Sequence, residues 1–321
     1  MKQKNLTRIL LAIFLATSYA LVVRYLYGVE DWRSFYSVMS VSFLFLVPVI
    51  VGGLAVYFSN DDLARKWTYQ IFFPWVPIFL FFMVTLVLAW EGFACWIMVL
   101  PLFLIAASIG GLIGGALKKQ YNRKELKLSL LVLLPFCLSP VESYIGSIPA
   151  VYEAYTYIDI EAPAEEIWSE VTRVREIAPE DDQGWLSKFL GFPRPLRAEL
   201  NYEGVGAQRE AIFTNGLVFH EEVLEYEHQK RMVFSIDADP QEIPSTTLDE
   251  HVVVGGQFFD VLTGTYELEA LSPTTQRLHL YSRFELNTTF NFYAGLWARW
   301  IMKDIQRNIL QVEKRRAEGE Y

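Results

Sequence analysis

The sequence predicts a two-part molecule. Residues 1–150 read as an all-α bundle of transmembrane helices; residues 151–321 read as an α+β domain whose antiparallel sheet curves around a long C-terminal helix. Three observations predict this. Long apolar runs follow one another as far as about residue 150 and then stop. Short segments of alternating character, separated by turn residues, come next. The chain then closes on a stretch with a helical apolar stripe.

Charge divides at the same place. Residues 1–150 hold 12 Lys/Arg against 7 Asp/Glu, a balance of +5, whereas residues 151–321 hold 16 against 30, a balance of −14. So acidic a domain is a poor partner for phosphate backbones, and no nucleic-acid partner is expected. Cys95 and Cys137 both lie in the apolar half, so the second half has neither a disulfide framework nor a cysteine-based zinc site.

A bilayer core about 30 Å thick needs about 20 mostly apolar helical residues. Leu6–Leu26, Phe35–Phe58, Tyr69–Trp90 and Phe93–Leu117 meet that requirement, and four such runs in succession are expected to span. A fifth run, Leu128–Ile148, is interrupted by Pro135, Pro140 and Glu142. Basic residues cluster before the first run (Lys2, Lys4, Arg8), after the second (Arg65, Lys66) and after the fourth (Lys118, Lys119, Arg123, Lys124, Lys127). With four spans all three clusters fall on one side, which makes the N-terminus cytoplasmic in a plasma (inner) membrane. The side of the second domain then depends on the fifth run, with the extracytoplasmic side favoured if that run crosses. Spans two to four carry no ionisable residue, which argues against an ion-coupled transporter. Gly110, Gly111, Gly114 and Gly115 supply overlapping small-xxx-small spacings, suited to packing within the chain or to a homo-oligomer.

In the second half, Tyr155–Ile160 is β-prone, and Glu161-Ala162-Pro163-Ala164 opens a helix with Ile167, Trp168, Val171 and Val174 on one side. A Pro- and Gly-rich stretch follows. Strands are expected at Leu196–Tyr202, Ala207–Thr214, Leu217–Tyr226, Arg231–Ala238, His251–Phe259, Gly264–Leu271 and Arg277–Leu286, with Asn215-Gly216 as a hairpin turn. The terminal helix, Phe290–Glu318, is expected to bury Tyr293, Leu296, Trp297, Trp300, Ile301, Ile305, Ile309 and Val312.

Several phrases in this order resemble the SRPBCC superfamily, which includes START, Bet v 1 and polyketide-cyclase-like domains. They are Ile160–Trp168, Gly204–Arg209, Phe219–Tyr226 and the stretch from Tyr293 to Lys314; the resemblance covers about Tyr152–Ala317. It implies the helix-grip fold and an apolar cavity between sheet and terminal helix. Phe213, Phe219, Phe234, Phe258, Tyr266 and Phe284 on strands are candidates to line that cavity, with Tyr293, Trp297 and Trp300 on the helix. Arg209, Glu221 and His251 are its polar candidates.

No motif for catalysis stands out. His220-Glu221-Glu222-Val223-Leu224 begins like a zinc-protease motif but lacks the second histidine and lies in a strand. No Gly-x-Ser-x-Gly elbow occurs, and no metal or cofactor is called for. The preferred reading is a non-enzymatic, membrane-anchored binding module for a lipid or other hydrophobic small molecule. A structural or signalling protein is one alternative. A cyclase- or hydrolase-type enzyme is another, using an acid or base from Glu221, Glu222, His251, Asp260 or Arg209.

Overall fold

The computed structural model describes residues 2–32, 34–119, 125–238 and 253–319. The chain divides into two compact units, Met1–Ile148 with Thr288–Phe290, and Pro149–Asn287 with Asn291–Tyr321.

The first unit is helical: α1 (Lys2–Tyr27), α2 (Val47–Phe58), α3 (Asp61–Ala64), α4 (Trp67–Phe72), α5 (Trp75–Val87), α6 (Phe93–Lys119) and α7 (Glu125–Ile145). Among the described residues three stretches are long and apolar enough to cross a membrane, Asn5–Tyr27, Trp67–Val87 and Phe93–Lys119. The second expected span is shorter than the sequence implied, its helix covering only Ser42–Phe58. Phe35–Val41 turns instead, because side chains take the amides that would have extended the helix. Ser37 Oγ accepts from Met39 N and Ser40 Oγ from Phe43 N, while Glu142 accepts from the backbone of Val41 and Ser42 and from Ser42 Oγ. A π-turn at Ser42–Leu46 precedes Pro48, whose missing N–H interrupts the α-helical ladder.

The glycines let helices touch. A Cβ on Gly110 would fall 1.8 Å from Val49 O in α2, and one on Gly111 would fall 1.9 Å from Gln70 O in α4. Gly114 meets Gly53 and Gly115 meets the Gln70 side chain in the same way. All four are therefore covered within the chain.

Side-chain ties define two ends of this unit. At one, Arg8 and Lys118 reach Asp61 at 3.4 and 3.1 Å. At the other, Arg24 pairs with Glu91 at 2.6 Å, and the Ser139 and Ser143 hydroxyls donate to Phe35 O. The α7 helix runs parallel to α1, since Tyr19 donates to Val132 O and Tyr27 to Pro135 O. Its 21 residues extend about 31 Å at 1.5 Å per residue and finish at the Glu91 end.

The second unit contains β1 (Ala150–Ile160), α8 (Ala164–Thr172), α9 (Trp185–Leu190), β2 (Pro195–Leu200), β3 (Gln208–Phe213), β4 (Val218–Glu227), β5 (Arg231–Asp237), β6 (Phe259–Ala270), β7 (Gln276–Leu286) and α10 (Asn291–Ala317). The strands form one antiparallel sheet in the order β1-β7-β6-β5-β4-β3-β2. Hairpins join β2 through β7 in sequence, and β1 returns to pair with β7, leaving α8 and α9 between the two edges. With α10 against the inner face, this is the helix-grip fold. The β3–β4 turn is the expected one, with Asn215 and Gly216 both left-handed (φ 61° and 78°) and Phe213 N donating to Leu217 O.

The expected strand Gly264–Leu271 lies within β6, whereas the expected strand His251–Phe259, whose first two residues lie outside the described residues, is not a separate strand over its described part. Val254–Phe258 turns before β6, with Gly255 left-handed at φ 73°. The inner face carries two apolar clusters. One joins Ile160, Trp168, Met232, Tyr266, Leu278 and Leu310; the other joins Ala154, Val261, Phe284 and Leu286.

Candidate functional site

Arg209 on β3 is the direct cross-strand neighbour of Glu221 on β4, so both side chains leave the sheet on one face. Each is only 4% exposed. Arg209 Nη1 donates to Glu221 Oε2, and the guanidinium carbon stands 5.3 Å from the centroid of Phe234. Phe234 opposes Gly264 on β6, and its ring occupies the space that a Cβ there would take. The glycine therefore lets the ring lie flat on the sheet and leaves the space above it to Arg209.

Glu313 enters from α10. It is 1% exposed, and among the described residues neither carboxyl oxygen has a partner at ordinary hydrogen-bond length, the Tyr266 hydroxyl acting on it from close by; Arg209 Nε lacks an acceptor as well. Burial pushes the Glu313 carboxyl up to about 8, although the Tyr266 hydroxyl and the Arg209 charge favour the anion. Burial and the neighbouring Glu313 raise Tyr266 well above its ordinary range. Burial raises Glu221 more than Arg209 lowers it. For Arg209 burial opposes the charge, but Glu221 and Tyr266 outweigh it and hold the guanidinium protonated.

Gln306, two turns earlier on α10, shows what a satisfied buried polar group looks like. Its Nε2 donates to Ala154 O at 3.0 Å and to Ser282 Oγ at 2.8 Å, and its Oε1 accepts from Thr156 Oγ1 at 3.1 Å. This amide fixes α10 on β1 and β7. The Glu313 carboxyl has no such ties, and a buried polar group without them costs about 1–3 kcal/mol.

The strand candidates occupy three places in the second unit. Phe234, Tyr266 and Phe284 are buried on the inner face, and Phe213 packs edge-on to Phe219 at 4.9 Å in a smaller cluster with Leu217. Phe258 lies in the turn before β6 and is half-buried. On α10 the expectation fails in part. Trp300 is 54% exposed and Leu296 is also exposed, while Tyr293 and Trp297 are half-buried. The inward side of α10 carries Gln306, Leu310, Glu313 and Ala317, at spacings of four, three and four residues.

Among the polar candidates Arg209 and Glu221 converge. Glu222 is exposed on the opposite face of β4, and His251 lies outside the described residues. Asp260 does not join them, because its carboxyl accepts from the amides of Val261 and Gly255 and so caps the turn; burial raises its pKa against those bonds. Sequence reasoning missed Glu313, which sits in the charged run Glu313-Lys314-Arg315-Arg316 and reads as solvated. The usable signal was its place in the 306–310–313–317 stripe. Among the described residues no cluster of three or more His, Cys, Asp or Glu could hold a metal ion.

Chemically, the site offers a carboxylic acid that keeps its proton near neutral pH and a guanidinium with one uncommitted N–H. Both can donate to an oxygen on an otherwise apolar guest.

No family model matches the chain, and no curated protein matches it. Solved structures with a similar course include a START superfamily protein from Mycobacterium smegmatis, 12% identical with a TM-score of 0.34, over 53% of this chain and 99% of that one. Truncated norcoclaurine synthase from Thalictrum flavum is 10% identical with a TM-score of 0.32, over 53% and 94%. A protein from Thermus thermophilus is 15% identical with a TM-score of 0.34, over 53% and 99%.

Proposed function

We propose that residues 149–321 bind a hydrophobic small molecule, a lipid or isoprenoid-like compound, carrying one hydroxyl or carbonyl group, and that the apolar helices hold this unit at a membrane. The observation that carries the reading is Glu313, a carboxyl sealed from water with no partner at ordinary hydrogen-bond length among the described residues. A native fold tolerates such a group when something else supplies the partner. The apolar clusters on either side of the polar groups would take the rest of the guest, with Phe234 and Phe284 among its contacts.

Anchoring rests on the three helices long and apolar enough to cross a membrane. The basic clusters at the Lys118 end support a cytoplasmic N-terminus. The course of α7 to the Glu91 end supports a fifth crossing, which puts residues 149–321 on the extracytoplasmic side.

The test is native mass spectrometry of the full chain purified in a mild detergent and exposed to a membrane lipid extract. Bound apolar species, depleted at least tenfold by Glu313→Leu, would support the reading. A chain that stays empty with every extract would overturn it and favour a structural or signalling role.

A second reading has its own observation. A carboxyl with a pKa near 8 is protonated at neutral pH and suits general acid chemistry of a cyclase or hydrolase kind. Recovery of the bound species chemically changed by the wild type and unchanged by Glu313→Gln would select it.

A further inference from the structure

The outer side of α10 carries an exposed apolar stripe. Phe292, Leu296 and Trp300 stand four residues apart on one face, and Phe292 is 67% exposed. Trp297 meets Trp300 edge-on at 5.4 Å. The short helix α9 adds Trp185, 71% exposed, and the exposed Phe189. Hydrogen bonds align the two helices. Asn308 Oδ1 accepts from Gln183 N and Gly184 N, and Asp304 Oδ2 accepts from the Ser187 amide and hydroxyl. Residue numbers rise along α9 as they fall along α10, so the pair is antiparallel.

Cations continue the same face. Lys303 and Arg307 follow Trp300 at three and seven residues, and Lys188 is exposed on α9. The Asp304 carboxylate nearby is occupied by Ser187. In a unit of net negative charge, this patch therefore joins large aromatic side chains to a local excess of Lys and Arg. That combination suits the headgroup region of a bilayer, where aromatic rings reach the acyl boundary and cations meet anionic lipid.

We infer that the Phe292–Leu296–Trp300 face of α10, with Trp185 and Phe189 of α9, docks onto the lipid surface of the membrane that the apolar helices enter. The inference rests on the anchoring reading and goes beyond it. It gives the binding unit a fixed face towards the bilayer, from which an apolar guest could be collected.

The experiment uses the full chain with Cys95→Ser and Cys137→Ser, reconstituted in vesicles of phosphatidylcholine with about one-third phosphatidylglycerol. An environment-sensitive fluorophore is attached at Leu296→Cys or, as a control, at Thr274→Cys in the β6–β7 turn. The expected result is blue-shifted emission at position 296 that doxyl-labelled lipid quenches at least twofold, with neither effect at 274. Water-like emission at 296 overturns the inference. So does a blue shift that grows with protein-to-lipid ratio and resists lipid quenching, which would mean that a second copy covers the face. Alkaline carbonate extraction of the same vesicles separates the two readings. Release of the chain sinks anchoring itself, whereas retention with water-like emission sinks only the docking.

Discussion

Arg209 and Glu221 face each other across the β3–β4 ladder as a buried ion pair, and the guanidinium rests over Phe234. Such a pair is costly to break from one side, because the survivor stays charged in a dry place. Arg209→Met or Glu221→Leu alone is expected to destabilise the second unit by about 3–5 kcal/mol. The double variant should recover most of that loss, since two apolar side chains can fill the same volume. Chemical denaturation of the full chain, followed by intrinsic tryptophan fluorescence, measures all three; equal losses in the singles and the double would contradict the pairing.

Glu313 makes stability depend on pH in a direction opposite to that of ordinary paired carboxylates. Its folded-state pKa, about 8, lies above the unfolded value of about 4.5, so the folded state holds a proton that the unfolded state has released. This group's favourable contribution is complete below pH 4.5 and is lost as pH rises through 8. At 1.36 kcal/mol per pKa unit, the loss is on the order of 5 kcal/mol. Glu313→Gln keeps the shape and removes the titration. Thermal melts between pH 5 and 9 should therefore decline for the wild type and flatten for the variant, and parallel curves would place the titration elsewhere.

How far the sequence could be read depended on what each signal encodes. Alternation in β5, β6 and β7 correctly identified inward Met232, Phe234, Tyr266, Leu278 and Phe284, because a two-residue period allows only two faces. The terminal helix was harder. Its N-terminal aromatics repeat at helical spacing whether they line a core or an outer surface, and Trp300 took the outer one. Glu313 was hidden by its charge, since composition prices a carboxylate as solvated and cannot see the sheet that buries it. The strand expected at 251–259 failed over its described part because Gly255 and the Asp260 carboxyl build a turn from β-prone neighbours.

The glycines of α6 offer a graded test of packing in the first unit. A Cβ on Gly110 would press into the Val49 carbonyl, whereas one on Gly53 would meet Gly110 O at 3.5 Å, an ordinary contact. Gly110→Ala is expected to lower the midpoint of thermal unfolding in detergent, at a cost of about 1–3 kcal/mol for overpacking. Gly53→Ala should leave it within experimental error. Size-exclusion chromatography should show the same mass for both variants and the wild type, because the contacts concerned lie within one chain; dissociation of a larger species by Gly110→Ala would favour the oligomer reading.

The side on which the second unit lies turns on α7. Pro135 and Pro140 interrupt its hydrogen-bond ladder and Glu142 places a carboxylate near its end, which is why the sequence alone left the segment undecided. The Glu142 carboxylate is not stranded, however. It receives the amides of Val41 and Ser42 at 2.6 and 2.9 Å and the Ser42 hydroxyl at 2.7 Å, so it supplies acceptors that the start of the second apolar helix needs. That contact belongs to the end marked by Arg24 and Glu91, opposite the one where Lys118 meets Asp61. On the proposed crossing of α7, alkaline phosphatase fused after Tyr321 in a bacterial host should be active while a cytoplasmic fluorescent reporter at the same position stays dark. Removing the carboxylate with Glu142→Leu should shift that balance towards mixed topology or degradation, since the Val41 and Ser42 amides would lose their acceptor. A bright cytoplasmic reporter on the unaltered chain would mean that α7 does not cross.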